Sequence, residues 1–158
     1  MIFEQKETNT KKTKTYFWTI LKWYWFIVPS ILYIVILPRI VLTEGGPSFV
    51  NQDIFTMLFQ FMNLLFSGLM FVTKPIERSK SGVADIFLKV AIIQQFVAQN
   101  IFGVILTALA WYQLPYKVTP EPTEAEDKGS FYFKPKTILY LAIANLIFAI
   151  LAVVADKI

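Results

Sequence analysis

The side chains of this chain with the most chemical capacity are carboxamides, and they stand in stretches that are otherwise apolar. Gln94, Gln95, Gln99 and Asn100 fall within seven residues. Upstream, Thr56, Gln60, Asn63 and Ser67 recur at offsets of 0, 4, 7 and 11. On a helix that spacing gathers them within an arc of about 60°, and Lys74 continues the line. Gln95, Gln99 and Gly103 repeat at i, i+4 and i+8, while Ala142, Asn145, Ala149 and Ala152 make a face of small residues with one amide. An amide offers two N–H donors and a carbonyl acceptor and does not titrate. Such faces can tie helices together, at about 0.6 kcal/mol per interhelical bond, or line a polar path. A face of this kind does not lie comfortably against lipid, where unsatisfied polar groups are costly.

The remaining residue types exclude most other chemistry. The chain has no histidine and no cysteine. Ser–His and Cys–His nucleophile pairs, Cys-ligated metals and His-ligated haem are therefore ruled out. Asp53, Asp85 and Asp156 mark the ends of apolar stretches. Glu121, Glu124, Glu126 and Asp127 cluster in a proline- and glutamate-rich segment of disordered composition, which cannot hold a productive acid–base geometry. Gly45-Gly46 is not followed by the Gly-Lys-Ser/Thr of a phosphate loop. Transport and proton-relay sites usually keep a charge inside the membrane; here only Lys22 and Lys89 approach the apolar stretches, and both can snorkel to an interface. The expectation is a protein that is not an enzyme, with no catalytic residues, no metal ligands and no cofactor.

Four stretches must position these side chains: residues 17–37, 54–73, 86–111 and 137–154, each close to the ~20 apolar residues that cross a bilayer. Composition agrees, with 56% hydrophobic, 16% aromatic and 16% charged residues, against about 25% charged in a soluble domain, and a mean hydropathy of +0.54. The expected fold is all-α: an integral membrane bundle of four transmembrane helices with short loops over 16–158, preceded by a basic cytoplasmic tail over 1–15. The first stretch is too long for a signal peptide and no small-residue cleavage site follows it. Pro29-Ser30 should kink it, and its tryptophans, with Phe59, Phe61, Phe66 and Phe71, should face lipid or a partner. Asn51 or Asp53 is a candidate cap for the second helix and Ser81 for the third, with Asp85 and Lys89 spaced to pair.

Basic residues set the expected orientation. Lys6, Lys11, Lys12, Lys14, Lys74, Arg78, Lys80 and Lys157 would lie inside, and Arg39, Lys117, Lys128, Lys134 and Lys136 outside, eight against five. That places both N and C termini in the cytoplasm and makes residues 113–136 an external loop. Within that loop, β-prone runs at 116–118 and 131–133 could form a short hairpin, and Phe131, Tyr132 and Phe133 are candidate partner-docking residues. The net charge of +4 flanks the spans rather than forming a basic groove, so nucleic acid is not an expected partner.

In general form the chain resembles small four-helix bacterial membrane proteins, among them accessory subunits of larger assemblies and bacteriocin immunity proteins; the likeness is one of architecture alone. The expected partners are the lipid bilayer and other membrane protein subunits. The expected function is that of an accessory or scaffolding subunit of a larger membrane complex. The alternatives are a small oligomeric transporter or channel, with Thr56, Gln60, Asn63, Ser67, Gln95, Gln99, Asn100 and Asn145 along its path, or a membrane immunity protein. The expected location is the cytoplasmic membrane; an organelle inner membrane would suit the same composition.

Overall fold

A computed structural model of the chain describes residues 16–42, 47–118 and 131–157. Helix α1 runs Tyr16–Leu42, α2 Pro47–Phe71, α3 Val83–Val97, α4 Ile101–Tyr112 and α5 Pro135–Lys157, with a single 3₁₀ turn at Pro75–Glu77. No strand occurs among the described residues, and the β-prone runs at 116–118 and 131–133 are irregular. Three helices are long and apolar enough to cross a membrane, over Tyr16–Pro38, Ile54–Phe71 and Pro135–Ala155.

The third apolar stretch, expected as one crossing, is two helices. At 12 residues, α4 is about 18 Å long, well short of a ~30 Å hydrocarbon core. It folds back along α3. Lys80 N–H donates to Pro115 O at 2.8 Å and Ser81 N–H to Tyr116 O at 3.2 Å, so the start of α3 and the end of α4 lie side by side. Trp111 Nε1 reaches across to Asp85 Oδ1 at 2.7 Å, and Asp85 Oδ2 also takes the Lys89 ammonium at 2.6 Å, one turn away.

Contacts along the long helices fix the direction of the rest. Ser67 Oγ donates to Lys22 O and Tyr33 Oη to Met57 O, so α1 and α2 are antiparallel. Phe17 N–H donates to Gln113 Oε1, which puts the start of α1 at the hairpin's base. Phe133 N–H donates to Val72 O and Asn145 Nδ2 to Met62 O, so α5 starts at that same end and runs antiparallel to α2. Tyr16 and Lys157 therefore lie at opposite ends of the bundle. The expectation of both termini on one face, with 113–136 on the other, required four crossings. With α3 and α4 folded back, the segments joining α2 to α3 and α4 to α5 leave from one end.

Around the bundle, α1 packs on α2 and α4, α3 on α4 and α5, and α5 on α2. The apolar core lies in the half nearer the hairpin's base. Trp18 and Trp25 of α1 are 1% and 0% exposed, and Phe66 of α2 is fully buried; the expectation that these three face lipid or a partner is wrong. Trp25 stacks on Phe66 at 5.4 Å between centroids, Phe66 meets Phe87 edge-on at 5.4 Å, and Trp18 approaches Phe87 at 6.3 Å. Residues 18, 21 and 25 share one face of α1, and the hairpin supplies the surface that covers it. Trp23, on the opposite side, is exposed beside Lys22 and Phe71.

Two local details differ from expectation. Helix α2 begins at Pro47, a residue suited to a first helical turn, so positions 51 and 53 lie inside the helix. Helix α3 is capped by Gly82 rather than Ser81, with Glu77 Oε2 accepting from Val83 N–H at 3.0 Å. The Glu77 carbonyl stands against the place where a Cβ on Gly82 would sit, so a larger residue there would force the turn apart.

The indole nitrogens of Trp18 and Trp25 have no hydrogen-bond partner among the described residues, so packing rather than polarity holds these rings. Trp25→Ala should cost about 3–5 kcal/mol and Trp25→Phe much less, read as the order of thermal unfolding midpoints in detergent. Equal losses in the two variants would contradict the packing role.

Candidate functional site

The site is the tip of the α3–α4 hairpin, and its geometry begins with the backbone. Helix α3 ends in a left-handed residue, Gln99, with φ 56°. Around it Gln99 N–H donates to Phe96 O at 3.0 Å and Asn100 N–H to Gln95 O at 2.9 Å, the paired bonds of a left-handed C-terminal cap. The next residue, Asn100, is the N-cap of α4: its Oδ1 accepts from Gly103 N–H at 3.0 Å. Three residues, Ala98 to Asn100, thus end one helix and start the next.

That N-cap bond sets the direction of every amide beyond it. With Asn100 Oδ1 held by a backbone donor, its Nδ2 faces α3 and donates to Gln95 Oε1 at 2.6 Å. Gln95 Nε2 then donates to Asn63 Oδ1 at 2.6 Å and to Gln94 Oε1 at 2.5 Å. Asn63 Nδ2 continues to Gln60 Oε1 at a longer 3.4 Å. The result is a chain of like-oriented amides from α4 through the turn and α3 to α2. Like-oriented hydrogen bonds polarise one another, the more so in a low-dielectric interior. Gln95 is its hub, using both donors and its acceptor, and is fully buried. Asn63 lies near the middle of the Ile54–Phe71 span and Asn145 near the middle of Pro135–Ala155, so the hairpin reaches about half-way along the bundle.

Small residues make the closure possible. A Cβ on Gly103 would fall on Gln95 Oε1 and Asn100 Nδ2, so only glycine admits that amide pair. Thr107 Oγ1 returns to Gly103 O at 2.6 Å. On α5, Ala142, Asn145, Ala149 and Ala152 are all buried.

The predicted residues divide accordingly. Gln60, Asn63, Gln95 and Asn100 are brought into one chain. Asn145 joins at its edge by donating to Met62 O, and Gln94, whose Nε2 lies 4.0 Å from Met62 Sδ, adds to it from α3. Ser67 serves the α1–α2 contact instead, and Thr56 lies two turns before Asn63 on α2, half-buried. Gln99 is exposed at the tip. Phe131 is 74% exposed and meets Phe133 edge-on at 5.2 Å; Tyr132 and Phe133 are half-buried, and Phe133 packs against the core. Sequence reasoning missed the structural part of Gly103, whose signal was its place three residues after Asn100. No family model, curated protein or solved structure matches this chain.

The amide chain holds no titratable group, so it cannot act as acid or base. What it can do is hold the hairpin shut. Gln95→Leu strands an acceptor on Asn63 and a donor on Asn100 and should cost about 1–3 kcal/mol. Gln99→Gly removes the penalty of a left-handed non-glycine residue and should stabilise by about 1 kcal/mol. Thermal unfolding in detergent checks both signs; a stabilising Gln95→Leu would exclude the bonding scheme.

Proposed function

We propose that this protein is a non-catalytic accessory or scaffolding subunit that packs laterally against a larger assembly in the cytoplasmic membrane, through the tip of the α3–α4 hairpin. The observation that carries the reading is Gln99. Its neighbours in the amide chain are bonded within the bundle, whereas Gln99 projects from the surface with Phe96, Ile101 and Phe102, which are 75%, 74% and 58% exposed. An amide at mid-membrane depth with no water around it needs an acceptor or donor from elsewhere, and the aromatic and aliphatic side chains around it supply contact area for a facing helix. A second membrane subunit provides both. The buried, mutually bonded amide chain argues for a structural bundle rather than a solute path.

In this reading α3–α4 is a re-entrant hairpin and the hairpin's base faces the cytoplasm. Lys74, Arg78, Lys80, Lys117, Lys134 and Lys136 all belong to segments at that end, and the chain order adds Lys6, Lys11, Lys12, Lys14 and Lys128; the other end has Arg39 and Lys157. Eleven bases against two is a stronger positive-inside bias than the four-crossing arrangement gave. The C-terminus then lies outside, in place of the expected cytoplasmic position.

A mild-detergent pull-down of the tagged protein, with mass spectrometry of what accompanies it, should recover a stoichiometric membrane partner. Gln99→Leu should lower that recovery at least several-fold without lowering the unfolding temperature of the isolated protein. A clean homo-oligomer with no partner would overturn the accessory role and favour the small-transporter alternative, tested by flux in liposomes.

A further inference from the structure

Helices α2 and α5 diverge enough to leave a groove between them. Its volume is about 710 Å³, and it runs from Leu58 to Val72, with Phe133 at one end. The lining is apolar apart from Asn145, whose amide is already committed to Met62 O. At its centre Gly68 removes a side chain: a Cβ there would meet nothing within 4 Å. The groove is therefore a persistent apolar slot in the part of the bundle read as embedded in lipid.

The end at Phe133 is basic. Val72 and Phe133 are bonded to each other through the backbone, and beside them in the chain stand Lys74, Lys134 and Lys136, all exposed. Among the described residues of 72–82 and 131–136 the only carboxylate is Glu77, which is engaged by Val83 N–H. Positive charge thus gathers at the mouth of an apolar slot, at the level where lipid headgroups lie.

We propose that the α2–α5 groove is a binding site for an anionic phospholipid, its acyl chain lying along Gly68 and its phosphate held by Lys74, Lys134 and Lys136. Size selects the occupant. Fourteen residues of α2 extend about 21 Å, deeper than one leaflet's half of a ~30 Å core, which suits a chain entering from the headgroup level. The volume lies within the range of about 300–1,000 Å³ that ordinarily holds a small molecule. The charge at the mouth selects a phosphate-bearing, net-negative headgroup over a zwitterionic one. The proposal is independent of the docking role given to the hairpin tip, which lies elsewhere on the bundle surface.

The test is native mass spectrometry of the full chain, titrated with phosphatidylglycerol and with phosphatidylcholine of identical acyl chains. The wild-type protein should retain phosphatidylglycerol about a hundredfold more tightly, since each of the three lysines near the headgroup adds roughly a fivefold factor. The triple variant Lys74→Gln, Lys134→Gln, Lys136→Gln should lose that preference but keep weak binding of both lipids. Gly68→Phe, whose Cβ would meet nothing within 4 Å and whose ring would occupy the slot, should lose the tightly held lipid altogether at an unchanged unfolding temperature in lipid-free detergent. Equal retention of both headgroups by the wild type would overturn the assignment, as would undiminished binding to Gly68→Phe. A co-purifying membrane protein displaced by Gly68→Phe, with lipid retention unaffected, would identify the groove as a helix-docking site and also refute the proposal. Should Gly68→Phe lower the unfolding temperature, the smaller Gly68→Leu must still weaken phosphatidylglycerol retention, and undiminished binding to it would overturn the assignment.

Discussion

A buried backbone amide with no partner is costly, and a turn half-way along a helical bundle must satisfy its own polar groups. The Ala98–Asn100 turn does so in two steps. The left-handed cap at Gln99 takes the last carbonyls of α3, and the Asn100 side chain takes a free N–H at the start of α4. The second step leaves the Asn100 amide nitrogen needing an acceptor, Gln95 supplies it, and the demand passes through Gln95 to Asn63 and Gln60. Burying these amides is tolerable because each is bonded to the next. The hairpin, the close approach at Gly103 and the amide link from α3 to α2 follow from that one requirement.

The folded-back hairpin explains features that four crossings do not. It brings Trp111 to Asp85 and Lys80 over Trp111 and Tyr112, contacts between residues that a continuous helix would hold apart. It sets Phe87 of α3 against Trp18 and against Phe66, the ring on which Trp25 packs. It also gathers the bases of three segments at one end, where lysines over aromatic rings suit an interface between water and lipid.

Much of the fold was legible. Three of the four long apolar stretches read from composition coincide closely with the three helices able to span, and the Asp85–Lys89 pair is where helical spacing put it. The amide-bearing stripes contain the residues that meet, because on α2 the period of 3.6 holds throughout. It misled at 95, 99 and 103, where the same spacing continues through a break. No proline or glycine marks that break. Its left-handed residue is a glutamine, against ordinary preference, and the signal that remained, an asparagine three residues before a glycine, is short and common. The burial of Trp18, Trp25 and Phe66 was illegible for a related reason: which face of an all-round apolar helix turns inward depends on what packs there, and that surface is the unforeseen hairpin.

The most direct test uses the absence of cysteine from the sequence, which makes any introduced thiol unique. Single substitutions Ile76→Cys and Tyr116→Cys place exposed thiols before α3 and after α4, and a membrane-impermeant maleimide applied to sealed, oriented vesicles reports which face each occupies. The folded-back hairpin predicts that both label from the same face. Labelling from opposite faces would mean that residues 86–111 cross the membrane, and would contradict the account at its centre.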